Sequence, residues 1–173
     1  MRRSLLLSGL LLAAACARKP AAPKGEVAYS PADGSFTAAL PRGWRVNEAE
    51  LGTRRAAFYG PPDGKAPYSE LIGVYFYPSS GRWSDPADYA QAESAIGVAT
   101  PVSRTEAAGV SALSFEVRRE LPDPHLGVQR TTTREILVPA RGGFFALIHS
   151  YPTDGPPPGP AFDAFVASFR LPR

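Results

Sequence analysis

The sequence predicts an α+β domain, in which a mainly antiparallel sheet is covered by helices. Segments with the alternation of β-strands far outnumber segments with helical periodicity. Most connections between them are of hairpin length, and hairpins join antiparallel strands. The segment 144–151 is apolar on both faces, which predicts a central strand with a layer packed on each side.

The chain begins with the pattern of an export signal. Arg2 and Arg3 precede the apolar run Leu5–Leu12, and the small residues Ala13–Ala15 follow it. This order is typical of a secretory signal peptide. The apolar run is shorter than the roughly 20 residues that a membrane-spanning helix needs. We therefore expect residues 1–15 to be a signal peptide.

Cys16, the only cysteine in the chain, follows these small residues directly. The segment Leu12–Cys16 resembles the bacterial lipobox, although that motif more usually has Leu three residues before the cysteine, where this chain has Ala13. The resemblance implies lipidation of Cys16, palmitate included, and anchoring to a membrane of the bacterial cell envelope. Ala17, rather than Asp, favours the outer membrane facing the periplasm over the inner membrane. The alternative is an ordinary signal cut that leaves Cys16 unmodified.

Charge excludes one class of partner. The chain has 19 basic and 16 acidic residues, and two of the basic residues, Arg2 and Arg3, leave with the signal, so the mature chain has a formal charge of +1. A nearly neutral, exported domain lacks the basic field that nucleic acids require, and no nucleic-acid partner is predicted. One cysteine also excludes an internal disulfide.

Residues 16–28 are predicted to form the lipidated cysteine and a flexible tether, because they contain two prolines and little that could pack. Residues 29–173 are predicted to form a single domain. Alternation and β-rich composition predict its strands. They lie near 36–40, 44–46, 56–59, 71–77, 103–107, 113–120, 129–138 and 144–151.

Two helices are predicted between and after these strands. The first spans 85–97, with Asp85 as N-cap, Tyr89, Ala92 and Ile96 facing inward and Gly97 as C-cap. The second is predicted from apolar residues at i, i+3, i+4 and i+7, which should face the sheet. They are Phe162, Phe165, Val166 and Phe169.

The two ends of the domain resemble the PsbP-like family. Gly34–Trp44 looks like the family's Phe-x-x-x-Leu-Pro-x-Gly-Trp pattern, and the segments Gly143–Leu147 and Ser168–Arg170 look like its last strand and the end of its closing helix. The resemblance implies an αβα sandwich. Members range from a photosystem accessory protein to a Ran-binding nucleotide-release factor, so it implies no activity and no catalytic residue.

Candidate catalytic residues are few. His149 lies in an apolar strand, where a buried neutral histidine with one hydrogen bond is expected. Asp123 and His125 could offer two ligands to a metal ion, but metal sites need three or four, so no metal is predicted and an exposed loop is expected. The sequence also has no Gly-x-Ser-x-Gly elbow and no phosphate-binding loop. No cofactor is predicted, and a non-enzymatic protein is favoured.

A cationic cluster is the main candidate binding site. If residue 120 pairs with 129, Arg119 lies beside Arg130, and pairing 139 with 144 brings His149 opposite Arg134. Like charges on neighbouring strands are unfavourable, so the cluster Arg119, Arg130, Arg134 and His149 would favour an anion. The alternatives are solvent exposure or a register that is off by one, which would move every side chain to the other face.

The sequence therefore predicts a lipid-anchored cell-envelope protein with a non-enzymatic binding or accessory domain and an envelope protein as partner. One alternative is an envelope hydrolase, which requires a histidine within hydrogen-bond reach of a carboxylate. Another is a small anionic-ligand binder that uses the face of Arg119, Arg130 and Arg134.

Overall fold

The computed structural model describes residues 25–48, 52–62, 69–123 and 127–172. In these ranges the chain forms β-strands and α-helices in the order β1 (Glu26–Tyr29), β2 (Ala38–Pro41), β3 (Arg45–Asn47), β4 (Arg54–Tyr59), β5 (Leu71–Pro78), α1 (Pro86–Ser94), β6 (Val98–Ala99), β7 (Ser103–Ala107), β8 (Val110–Asp123), β9 (Gly127–Ala140), β10 (Gly143–Pro152) and α2 (Ala161–Ser168).

The large sheet has the strand order β3-β4-β5-β10-β9-β8-β6, and β7 pairs with β8 on the same side as β6. Its strand pairs are antiparallel. β1 and β2 form a separate antiparallel pair. The predicted α+β architecture is confirmed, and β10 is central as predicted. Its Phe145 and Leu147 face one side of the sheet and Phe144 and Ala146 the other.

One face of the sheet packs against α2 and the β1–β2 pair. Phe162, Phe165 and Phe169 are buried there, as the periodicity of this segment predicts. Phe36, just before β2, stacks on Phe169 with ring centroids 5.2 Å apart. Each buried Phe side chain contributes about 1.5–3 kcal/mol of transfer free energy, so this cluster is a main source of stability.

The other face is covered by α1. Asp85 caps this helix as predicted, accepting a hydrogen bond from the Ala87 N–H at 2.7 Å, and Pro86 occupies its first turn. The predicted C-terminal end is wrong, because α1 ends at Ser94 and Ile96 is 61% exposed. Gly97 is not the cap. A Cβ there would lie 2.3 Å from the Arg118 carbonyl oxygen, so close approach to β8 requires the glycine.

The predicted tether is too long at its C-terminal end. Residues 26–28 belong to β1, where Val27 pairs with Leu40 and Ala28 with Ala39. A short strand held by backbone hydrogen bonds needs little apolar periodicity, which is why this segment has no strand pattern in the sequence. Residues 1–24, and with them Cys16, lie outside the described residues.

The predicted register of the β8–β9 hairpin is off by one. Glu120 lies opposite Arg130, and Leu121 rather than Glu120 lies opposite Gln129. The observed register places opposite charges across from each other, which is favourable. Because side chains alternate, this shift moves the side chains of β8 to the opposite face from the one assumed.

Candidate functional site

The predicted cationic cluster is divided between the two faces of the sheet. Arg119 lies on the α1 face, on the same side of β8 as Phe115 and Val117. Arg130 and Arg134 lie on the α2 face with His149, and His149 is opposite Arg134 as predicted. The predicted neighbours Arg119 and Arg130 are therefore not brought together.

Each arginine of the cluster contacts a carboxylate. Arg130 Nε donates to Glu120 Oε1 at 2.9 Å, and its Nη1 lies 3.4 Å from Asp154 Oδ2. Arg134 Nη1 donates to Asp163 Oδ1 at 2.6 Å. An anion at these arginines would therefore compete with carboxylates that already neutralise them.

His149 and Glu70 form a buried pair on the α2 face. His149 Nε2 lies 2.7 Å from Glu70 Oε2, and their side chains are 3% and 13% exposed. The imidazole stacks on Phe162 of α2, with centroids 4.9 Å apart. Burial lowers the pKa of His149 below its usual value, and Glu70 offsets this only in part. The stacking on Phe162 joins this pair to α2. The pair also places a histidine within hydrogen-bond reach of a carboxylate, which is the arrangement that a hydrolase would require.

The α1 face contains a polar network centred on Glu135, whose side chain is 1% exposed. Tyr89 donates from its hydroxyl to Glu135 Oε2 at 3.0 Å, and Arg119 Nη2 lies 3.5 Å from Glu135 Oε1. The same Arg119 nitrogen donates to Glu93 Oε2 of α1 at 2.5 Å. Residues of the helix and the sheet thus share one ionic network, in which Glu135 is buried and Arg119 and Glu93 are partly exposed.

Burial of Glu135 changes its acidity. Desolvation and the charge of Glu93 raise its pKa to about 7, although Tyr89 and Arg119 act in the opposite direction. Burial and the Glu135 carboxylate raise the pKa of Tyr89 well above its usual value, so Tyr89 is a donor at every physiological pH. These contacts hold α1 on the sheet, and the charge of Glu135 within them changes near pH 7.

A groove of about 510 Å³ lies between α1 and the β6–β7 edge. Its lining is mostly small and apolar, with Ala87, Ala90, Gln91, Ser94, Ala99, Thr100, Pro101 and Val102. One of these residues, Val102, is large, apolar and 44% accessible. An exposed apolar lining of this kind is typical of an interaction surface.

Sequence reasoning missed Glu70, Glu135 and this groove. Glu135 could be found once the register is known, because it shares a face with the apolar Leu137. Glu70 lies just before β5 and has no such signal.

Within the described ranges, no three His, Cys, Asp or Glu side chains are grouped so that they could hold a metal ion. His125 lies outside these ranges.

Neither helix in the described part of the chain has the length and hydrophobicity that a membrane-spanning segment needs. No protein-family model and no curated protein matches the sequence.

Solved structures do match the fold. A protein from Bacteroides thetaiotaomicron aligns with a TM-score of 0.55 at 13% identity, over 83% of this chain and 47% of that one. This chain therefore spans about half the length of that protein. The solution structure of cyanobacterial PsbP (CyanoP) from Synechocystis aligns with a TM-score of 0.52 at 16% identity, over 87% of this chain and 94% of that one. At these identities the likeness concerns the fold alone, and the chain has a PsbP-like fold.

Proposed function

We propose that this chain is a lipid-anchored protein of the bacterial cell envelope whose folded domain binds a protein partner and catalyses no reaction. The observation that carries the binding role is the exposed apolar groove between α1 and the β6–β7 edge. The Leu12–Cys16 segment supports the anchor, and Ala17 supports the outer membrane as its location.

The groove favours apolar side chains of a partner as its occupant. Val102 is exposed in the groove beside the edge of the sheet, and hydrophobic side chains in a concave surface are typical anchors of protein interfaces. Strand addition is a poorer fit, because β6 and β7 are short and separated by Pro101, and short, proline-broken edges resist pairing. Recognition through side chains therefore fits this surface better than backbone pairing.

Comparison of two matched valines tests the binding role. Val102 is 44% exposed at the groove, and Val46 is 43% exposed on β3 at the other edge of the sheet. Val102→Asp should abolish recovery of a reproducible envelope protein in a pull-down from membranes, while Val46→Asp should retain it. Equal recovery by the two variants, or no reproducible protein with the unmodified chain, would contradict the binding role.

The anchor has an independent test. Mass spectrometry of the mature N-terminus should find Cys16 as the first residue, carrying acyl groups that include palmitate. Cys16→Ser should move the chain from the outer-membrane fraction to the soluble fraction. An unmodified Cys16 in the native protein, or cleavage elsewhere, would refute the anchor.

An envelope hydrolase is the second candidate, because His149 meets Glu70 at 2.7 Å. A general base must reach its substrate. The His149 side chain is only 3% exposed and stacks on Phe162, so its geometry favours a structural role.

An anionic ligand at Arg130 and Arg134 is a third candidate, with Arg119 on the opposite face. The double variant Arg130→Ala with Arg134→Ala tests it by thermal shift. An unchanged response to anions would remove the site.

A further inference from the structure

A second groove, of about 340 Å³, lies on the α2 face at the end of the sheet remote from His149. Its apolar floor includes Phe76, Phe145 and Leu171, and its polar residues include Arg55, Arg141 and Asp33. We call these six residues the arginine groove. Its volume is near the lower end of the roughly 300–1,000 Å³ typical of small-molecule sites.

An irregularity in β4 directs Arg55 to this groove. Arg54 is opposite Tyr75 and Ala56 is opposite Val74, so the register shifts at Arg55. In a regular strand Arg55 would face away from its neighbour Ala56, which packs in the α2-face core. Instead its guanidinium lies 5.7 Å from the ring centroid of Phe76, on the α2 face. Such bulges commonly re-aim a side chain next to a functional site.

The charges around the groove are unequal. Arg55 and Arg141 are cationic, and Asp33 is the one acid among the described lining residues. Asp33 Oδ1 already accepts a hydrogen bond from the Ser35 N–H at 2.9 Å, and Arg55 is close enough to stabilise its charge. The charges of the described lining residues therefore sum to +1, beside an aromatic and aliphatic floor.

We propose that the arginine groove binds a monomeric anionic amphiphile, with its apolar chain or ring on Phe76, Phe145 and Leu171 and its single anionic head between Arg55 and Arg141. A floor without charges would take a neutral apolar ligand equally well, whereas the two arginines add selectivity for an acid. This site is distinct from the groove beside α1 and does not depend on the proposed partner binding.

Two fluorescent probes with the same aromatic body test the charge selectivity. Anilinonaphthalene sulfonate has an anionic head, and N-phenyl-1-naphthylamine lacks it. With the mature chain from residue 16 carrying Cys16→Ser, which keeps acyl chains out of the assay, the sulfonate should bind saturably at one site. Arg141→Glu should weaken binding of the sulfonate about tenfold and leave binding of the neutral probe unchanged. The substitution changes the electrostatic field at the anionic head of the probe but leaves the apolar floor of the groove intact.

The control is Arg104→Glu, which reverses an exposed arginine on β7 at the far edge of the sheet. It should leave both probes unchanged. Arg55→Gln, with circular dichroism to verify folding, should also weaken the sulfonate selectively. Monomeric decanoate should displace the sulfonate, because it combines an acyl chain with one carboxylate.

Several results would overturn the proposal. Equal sulfonate binding by Arg141→Glu and Arg104→Glu would do so, as would an equal loss for the neutral probe. Displacement by phosphatidylglycerol vesicles but not by decanoate would indicate a membrane surface instead of a groove. Absence of probe binding to the mature chain would overturn it as well, including the case in which another segment of the chain fills the groove.

Discussion

The hydroxyl of Tyr89 donates a hydrogen bond to Glu135 Oε2 at a distance of 3.0 Å. This bond connects α1 to β9, the strand beside the central strand β10. Arg119 completes the connection, because its Nη2 contacts both Glu135 and Glu93. Removing one member of such a network leaves the others buried without a partner, which is costly. The position of α1, and with it the groove that α1 borders, depends on these contacts.

Glu135→Gln should change how stability depends on pH. The pKa of Glu135 is raised to about 7 in the folded chain, above the value of 4.5 expected when it is unfolded. The folded state therefore binds more protons between these values, and the stabilisation that is present below pH 4.5 is lost as the pH rises to 7. Glutamine removes this loss. Relative to the native chain, the variant should gain on the order of 1–3 kcal/mol in unfolding free energy between pH 4.5 and 8, measured by urea denaturation. A stability difference that does not vary with pH would contradict the assignment.

Tyr89→Phe should destabilise the chain by about 1–3 kcal/mol, because it removes the hydrogen bond to a buried carboxylate. The loss should be largest above pH 7, where Glu135 is ionised. A double-mutant cycle with Glu135→Leu, which removes the acceptor oxygens, is the control. If the two substitutions are additive, the contact does not contribute to stability.

Gly143→Ala should be strongly destabilising. A Cβ at this position would lie 2.0 Å from the Tyr77 carbonyl oxygen on β5, so the two central strands would have to separate. We expect a loss of about 2–3 kcal/mol, within the range for overpacking a core. Gly159→Ala is the matched control, because its Cβ would meet nothing within 4 Å. Similar melting temperatures for the two variants would contradict the close approach.

Glu70→Gln should lower the pKa of His149 further, since Glu70, more than Asp163, raises this pKa against the effect of burial. A depressed histidine pKa contributes stability above the unfolded value of about 6.5 that is lost as the pH falls through the folded pKa. The variant should therefore be more sensitive to acid. Nuclear magnetic resonance titration can follow the ring directly, and His125→Asn separates the two histidine signals. A pKa that rises or stays constant would exclude the pairing.

Local patterns predicted much of the fold. The spacing of Phe162 and Phe165 was sufficient to locate α2 and its buried face, whereas Phe169, predicted as a further helical position, is buried but extended and follows the end of the helix. Asp85 and Pro86 identified the start of α1 through capping chemistry. The end of α1 was not predictable in this way, because Ile96 has the right spacing but lies beyond the last turn.

The candidate sites depended on long-range pairing, which local patterns do not determine. The segment around Arg119 and Arg130 is polar on both faces, so alternation does not distinguish two registers that differ by one residue. Glu70 and His149 are far apart in the chain and meet only because β5 pairs with β10. The reorientation of Arg55 results from a bulge without a signature in the sequence.

Site-specific photo-crosslinking in intact cells tests the central claim most directly. A photoreactive residue at position 102, beside the α1 groove, should give one discrete adduct with an envelope protein, and the same residue at position 46, on the opposite edge, should give none. Equal labelling at both positions, or no adduct at position 102, would contradict the account of this chain as an anchored protein-binding domain.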